Sequence, residues 1–544
     1  MDLHRREITG NHFGNNNTIY QGDVHYHSPN DTKCLTELRT TDPRDDKSRI
    51  EATKGGLFKD SYRWILQHND FRRWRDDERN RLLWIKGDPG KGKTMLLCGI
   101  VNELTSETSL KDQKANALLS YFFCQATDER INSATAVLRG LIYLVVEQQP
   151  LLVSHIQKKY KHGGEAIFKD VNAWTALSEI FLNILEDTSL KRTYIIIDAL
   201  DECVTDLPKL LDFINTKSAL FSRVKWIVSS RNWPDIEERL NSATQQMRLC
   251  LELNEKSISA AVDAYIKHQV KCLTQKKKYN AITKDSVYHH LSFNSNNTFL
   301  WVALVCKELD NISDWEVEEA LLLFPPGLDD LYKRMIDQIC KSRRATLYLR
   351  ILAVVSTVHR PISLSELETL VEMPFLPSSN DKALEEIVGR CGSFLTLQGR
   401  TMSLVHQSAK DFFLGKDCDK IFPSGQEEVH YSIFSRSLQA LSTLQHDIYG
   451  LGAPGYHIDQ VQPIDPDPLA AVRYSSIYWI DHFRDSSPGE NAKDDLQKDG
   501  LIDHFLHHHF LHWLEALSLL QSISKGIVSI AALKDLFRHL IAKY

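Results

Sequence analysis

The sequence predicts an α/β domain with a parallel sheet and helices on both faces, followed by a helical domain, a winged helix and a further α-helical region. Three observations lead to this. The apolar run Leu82-Leu83-Trp84-Ile85 feeds a glycine-rich turn and then a helical stretch through Met95 and Val101. A second apolar run, Tyr194-Ile195-Ile196-Ile197, ends in the acid Asp198. Between Arg81 and about Leu253, runs of strand length alternate with helical stretches. Strands that lack alternation are those buried on both faces, as in a parallel sheet covered by helices.

The elements follow in order. Residues 1–33 are polar and rich in Asn, His and Gly, with few large aliphatics, so no packed domain is expected there. Residues 34–80 read as a helical lead-in, with Tyr62, Ile65, Leu66 and Phe71 at helical spacing. Residues 81–255 hold the sheet domain, with strands at Leu82–Ile85, Leu118–Phe123, Tyr194–Ile197 and Val224–Val228, and a fifth over Met247–Leu253. Ala136–Val146 reads as a helix, and Trp174, Leu177, Ile180, Phe181, Ile184 and Leu185 mark one face of another. Residues 256–340 are helical. In 341–415 two helices, Ile351–Val358 and Ser363–Val371, precede a hairpin, Phe394–Leu397 and Met402–Val405, a pattern compatible with a winged helix. Residues 416–544 are helical segments broken by two loops rich in Pro, Gly and Asp.

Composition excludes several classes. The chain has 544 residues, 42% hydrophobic and 25% charged, which calls for two to four domains of an ordinary globular protein. A net charge of -6 gives no reason to expect a nucleic-acid binder. Ten cysteines stand singly, with no CxxC pair, which fits reduced thiols in a cytoplasmic protein. No apolar h-region follows Met1 and no transmembrane-length run occurs, so neither a secretory signal nor a membrane span is expected.

The turn itself, Gly87-Asp88-Pro89-Gly90-Lys91-Gly92-Lys93-Thr94, matches GxxxxGK[ST] at every fixed position. Glycines at 87, 90 and 92 let successive N–H groups turn inward around a phosphate, and the helix that follows adds its N-terminal dipole. Lys93 reaches the β and γ oxygens, and the Thr94 hydroxyl is placed to hold magnesium. Met95, the next residue, completes the expected nucleotide-binding set. Asp198 ends a strand at the carboxyl edge of the sheet, where it can hold the metal from the side opposite Thr94. Asp201 and Glu202, just beyond, are positioned to orient an attacking water, and Arg231, at the tip of Trp226–Ser230, to sense or stabilise the γ-phosphate. These readings make a P-loop NTPase that takes Mg2+ with ATP or GTP. Which base it prefers stays open.

With these motifs in hand, the chain resembles the NACHT family of STAND NTPases in its filamentous-fungal form, a class that includes the animal NOD-like receptors. The resemblance rests on Asp42–Lys47 with Tyr62–Ile65, on Phe122-Phe123-Cys124-Gln125, and on Asp198-Ala199-Leu200-Asp201-Glu202-Cys203. It continues in Thr298–Val305 with Pro326–Tyr332, and in Leu404–Phe413. It implies a slow NTPase acting as a switch: closed with ADP or GDP, self-assembling after exchange for triphosphate, and serving fungal non-self recognition or programmed cell death. By the same resemblance His406 touches the β-phosphate and Pro326 lines the base pocket. Such proteins carry WD40, ankyrin or TPR repeats after a segment like His512–Leu519, and here the chain ends at Tyr544, so a lost or truncated repeat sensor is expected. Residues 10–27, rich in Asn and Gly with isolated aromatics, resemble loosely the amyloid-signalling motifs that template a downstream effector; a solvated tail is the alternative. Two rivals remain at this level: an AAA-type motor with continuous turnover, and a nucleotide-binding adaptor without hydrolysis. The histidines at 504, 507–509 and 512 point in different directions around a helix and make no metal site.

Overall fold

The computed structural model describes residues 29–241, 246–373, 381–415, 419–452, 455–456, 458–462, 464–487, 495, 497 and 500–542. Residues 10–27, the stretch that resembles an amyloid-signalling motif, lie outside them.

Five parallel strands form the central sheet: β1 Leu82–Lys86, β2 Ala117–Phe123, β3 Arg192–Asp198, β4 Val224–Ser230 and β5 Gln246–Cys250, in the order β2-β3-β4-β1-β5. Leu82 to Ile85 are all buried, as are Thr193 to Asp198, which requires helices on both faces of the sheet. The expected fifth strand ends early. Its chain leaves the ladder at Cys250 and turns through a short 3-10 helix, Glu252–Asn254, because Leu251 packs against the turn after β1. All five carboxyl ends lie on one edge, with Lys86 level with Ser230 and Phe123 level with Asp198. β4 sits between β1 and β3, so its tip lies between the glycine-rich turn and Asp198.

The lead-in comprises helices Pro43–Thr53, Lys59–Gln67 and Asn69–Asp76. Two of its ties to the sheet domain stand out. The Tyr62 ring lies so close to Gly99 that a Cβ there would stand 2.3 Å from it, and its hydroxyl donates to Glu103 at 3.1 Å. Lys225, from inside β4, donates to the carbonyls of Trp74 and Asp77, each at 2.6 Å, and of Asn80 at 3.0 Å.

Beyond the sheet, helices Glu255–Lys277, Ala281–Asn294, Phe299–Asp310 and Leu328–Cys340 lead to a small antiparallel sheet: β6 Ile362–Ser363, β7 Leu395–Gln398 and β8 Thr401–Leu404, ordered β6-β8-β7. Helix Leu364–Leu370 starts on a capping box between Ser363 and Glu366. Two helices, a three-stranded sheet and the helix Gln407–Leu414 make the winged-helix unit. One apolar core runs unbroken from Cys34 through this unit to Tyr478, and a second, from Phe434 to Leu533, joins the C-terminal helices. No described helix is long and apolar enough to cross a membrane.

Three histidines meet where these bodies join. His430 Nδ1 and His482 Nδ1 lie 2.9 Å apart and share a proton, Tyr474 hydrogen-bonds His482 Nε2 at 2.7 Å, and the His359 ring lies tilted against His482 with centroids 4.7 Å apart. Glu129, from the loop after β2, accepts from Tyr478 and donates its amide to the His359 carbonyl. Burial is the main force holding all three imidazoles neutral; the carboxylates of Glu129, Asp481 and Asp485 oppose it, and Lys525 and Lys410 add to it. His430 is pushed from 6.5 to about 4. An unfolded chain takes up protons between those values while the folded one does not, so stability is retained above 6.5 and lost as pH falls toward 4. The thermal midpoint is therefore expected to fall steeply over that window and to flatten in His482→Phe; an unchanged slope in the variant would contradict this.

Candidate functional site

The glycine-rich turn after β1 opens onto a cavity of about 480 Å³ whose walls include Pro89 to Leu96, Asp198, Ala199, Asp201, Glu202, Arg231 and His406. Gly90 and Gly92 have φ of 75° and 87°, where a side chain is strained, and a Cβ at Gly92 would meet Phe299 at 2.8 Å. Gly87 differs from expectation. Its φ is ordinary, and space is what demands glycine, since a Cβ would stand 3.0 Å from Leu251 and 3.1 Å from the Glu252 carboxylate. The helix Lys93–Thr105 begins at Gly92 with no side-chain cap, whereas helix Ala134–Gln148 is capped by Ser133. Its first amides are left for an anion.

Neighbours hold the turn from three sides. Gly87 donates to the Ser230 carbonyl, and Asp88 donates its amide to Glu252 at 2.7 Å and accepts from Asn232 at 3.1 Å. Lys91 reaches across to the carbonyls of Asn296 and Asn297 at 2.7 and 3.2 Å. Lys93 bridges the Gly87 and Asp88 carbonyls, the latter at 3.0 Å, and its burial pulls its pKa down against the fields of Asp201 and Asp198.

Asp198 is buried at the end of β3, and burial raises its pKa despite hydrogen bonds from Ser229, at 2.5 Å, and Thr94. The Ser229 hydroxyl also accepts the Ala199 amide at 2.9 Å, steadying a residue held at the left-handed φ of 55°. A hydroxyl and a carboxylate beside a bed of free amides form an oxygen donor set. Magnesium takes such a set when phosphates and waters complete its shell. Thr94 and Asp198 would hold the ion, which would draw charge from the terminal phosphate.

The two acids beyond Asp198 divide. Asp201 spends both oxygens on Arg231, accepting its amide at 2.9 Å and its Nε at 3.0 Å. Arg231 then reaches Asp411, on helix Gln407–Leu414, at 2.6 Å. The arginine expected beside the γ-phosphate is thus a bridge between the sheet edge and the winged-helix unit. Among the described residues Glu202 takes only the Ala126 amide, at 3.1 Å, and burial followed by repulsion from Asp201 raises its pKa to about 7, near the ideal for a base at neutral pH.

His406 caps helix Gln407–Leu414: its Nδ1 accepts the Ser408 amide at 3.1 Å and the Ser408 hydroxyl at 2.8 Å, leaving the proton on Nε2. Burial, then the charges of Lys54, Arg231 and Lys93, hold it neutral. Pro326 is exposed and off the cavity wall, while its successors Gly327 and Leu328 line a separate cleft with Pro89 and Arg231. Aromatics fill the wall expected for a base. Phe58, stacked on His268 at 4.5 Å, joins Trp64, Tyr265 and Phe299 there. Sequence reading missed Lys54, Phe58, Tyr265 and Ser229; the serine alone carried a signal, lying two residues before Arg231 at a strand tip.

Fold and site together define a P-loop nucleotide-binding domain closed by a winged helix. A family model described as the N-terminal region of nephrocystin 3 matches residues 60–231. Vegetative incompatibility protein HET-E-1 of Podospora anserina is 54% identical over 528 residues, which are 94% of this chain and 38% of that protein. The chain thus spans well under half the length of the curated relative it matches, and over that share it is similar to a fungal incompatibility protein. A Walker-type ATPase of Pyrococcus abyssi overlays 64% of this chain and 95% of its own at 12% identity and a TM-score of 0.31. The ORC2 protein of Aeropyrum pernix, in ADPNP–ADP complexes, overlays 64% of this chain and 89% of its own at 12% identity and a TM-score of 0.29. Overlaps this loose carry no weight beside the sheet order and the phosphate loop.

Removing Arg231 leaves Asp201 buried without its cation. Arg231→Ala is expected to destabilise the sheet domain by about 3 kcal/mol in denaturant melts. Asp411→Ala, at the half-exposed end of the bridge, should cost under about 1 kcal/mol. Equal losses would contradict the geometry.

Proposed function

We propose that the chain is a nucleotide-driven signalling switch, closed with a bound purine diphosphate, released and self-assembling with Mg2+ and triphosphate, and reset by slow hydrolysis. The observation that carries this is a shared wall: His406, the N-cap of helix Gln407–Leu414, lines the same cavity as Lys93, Thr94 and Asp198. A nucleotide there touches both the sheet domain and the winged-helix unit, and it shifts their closure by its differential affinity for the closed and open states.

Each residue has a part. The amides of the turn and Lys93 bind the phosphate chain, and the aromatic wall at Phe58 and Tyr265 receives the base. His406 donates Nε2–H to the β-phosphate and so favours the closed form. Glu202, poised near neutrality, takes the proton of the attacking water, which makes hydrolysis pH-dependent. Asp201 acts through Arg231, coupling the γ-phosphate position to Asp411. By its likeness to a vegetative incompatibility protein, the chain serves in recognition of non-self between fungal cells.

Purified protein is expected to carry a purine nucleotide, and Lys93→Ala to carry none. Glu202→Gln should keep nucleotide affinity and lose turnover by about a hundredfold or more. His406→Ala should assemble without triphosphate, read as mass by light scattering. A His406→Ala variant that stays monomeric would contradict the closure role.

A further inference from the structure

Six cations line the cavity among the described residues, and five have partners. Lys91 and Lys93 hold backbone carbonyls, and Arg231 holds Asp201 and Asp411. Lys276 pairs with Asp310 at 2.6 Å, and Lys307 donates to the Leu395 carbonyl at 3.1 Å. Lys54 has no side-chain hydrogen bond or ion pair among the described residues. A positive group without a partner, at the wall of a site built for an anion, is a binding element held in readiness.

Its location is specific. Lys54 ends the helix Pro43–Thr53, its amide donating to the Ile50 carbonyl at 3.1 Å. It lines the main cavity and also a small one of about 50 Å³, whose walls include Thr94, Asp198, Glu202 and His406. That small space adjoins the hydroxyl and carboxylate of the metal site and the base-like Glu202, on the side away from the aromatic wall. The two spaces share Thr94, Asp198, Glu202 and His406, so a phosphate chain laid from the turn past Thr94 would point into the smaller one. Lys54 is also the foremost charge acting on both Asp198 and His406, ahead of Lys93.

The backbone after it turns through two left-handed glycines. Gly55 and Gly56 have φ of 85° and 87°, and nothing lies within 4 Å of a Cβ at either. No packing obliges glycine at these two positions; the left-handed backbone does. The turn leads directly to Phe58, on the base side of the cavity. Lys54 and Phe58 thus line one cavity from a single short loop.

We infer that Lys54 is the residue by which this chain distinguishes a nucleoside triphosphate from a diphosphate, its ammonium closing on the terminal phosphate opposite Lys93. This rests on the cavity being a nucleotide site. In that arrangement the third phosphate supplies the partner that Lys54 lacks. It also draws in the Gly55–Gly56 turn and shifts the Lys54 ammonium relative to the neutral His406, which weakens the hold of the winged-helix unit.

The test is calorimetric titration of stripped full-length protein with the magnesium complexes of GTP, GDP, ATP and ADP, for wild type, Lys54→Met and Lys54→Arg. Lys54→Met should weaken the preferred triphosphate about tenfold to a hundredfold, the range for one charge-assisted hydrogen bond, and shift its diphosphate less than about twofold. Lys54→Arg should restore most of the loss. Equal weakening of both nucleotides, or of neither, overturns the assignment of Lys54 while leaving the site standing. Wild-type protein that binds none of the four overturns the site itself.

Discussion

A carboxylate buried at the end of an apolar strand is the constraint around which this molecule is organised. Asp198 follows Tyr194 to Ile197, all out of reach of water, and a charge in such a place is costly unless groups converge to satisfy it. They come from separate parts of the chain: Ser229 from the tip of β4, Thr94 from the glycine-rich turn, and the fields of Lys93 and Lys54. The strand order makes this meeting possible, because β4 lies between the strand that carries the turn and the strand that carries the acid. The same carboxylate that the fold must compensate is the one best placed to hold a metal.

Closure grows from this edge outward. Phe299 lies over Gly92 and Leu300 donates its amide to the Gly90 carbonyl, so the helical region rests on the turn itself. From the far side, Arg231 carries the charge of Asp201 to Asp411, and His406 sits at the N-terminus of the same helix as Asp411. The winged-helix unit is tied to the site by polar contacts at its tip and by one continuous apolar core at its base. Polar ties at a ligand site can be exchanged for ligand contacts, while the core below keeps the bodies associated. A switch needs both.

Much of this could be read before any coordinates. The glycine-rich turn, Thr94 and Asp198 are legible because their chemistry depends on local spacing: a turn of fixed length, a helix after it, an acid at a strand end. Unalternating strands such as Leu82–Ile85 reveal their own burial. What could not be read depends on contacts between distant segments. Phe58 and Tyr265 are ordinary core-forming residues until the lead-in and the helix Glu255–Lys277 meet across the cavity. Lys54 is one lysine among many until every other cation of the wall proves to be engaged. Pro326 was placed by resemblance, and the fold instead leaves it exposed beyond Leu321 and Phe324, which take the buried positions. Gly87 was read for its backbone freedom, but Leu251, 164 residues later, supplies the reason it must lack a side chain. The apolar run Met247–Leu253 outlasts its strand, which stops at Cys250, since an apolar run does not show where a ladder ends.

Hydrogen–deuterium exchange of the full chain with magnesium and a purine diphosphate, then with a non-hydrolysable triphosphate, tests the shared cavity most directly. Diphosphate should slow exchange together at the start of helix Lys93–Thr105 and across residues 401–414. Triphosphate should keep the first protected and release the second. Protection confined to the phosphate loop under both nucleotides, with 401–414 unmoved, would contradict a switch in which one ligand is held by both bodies.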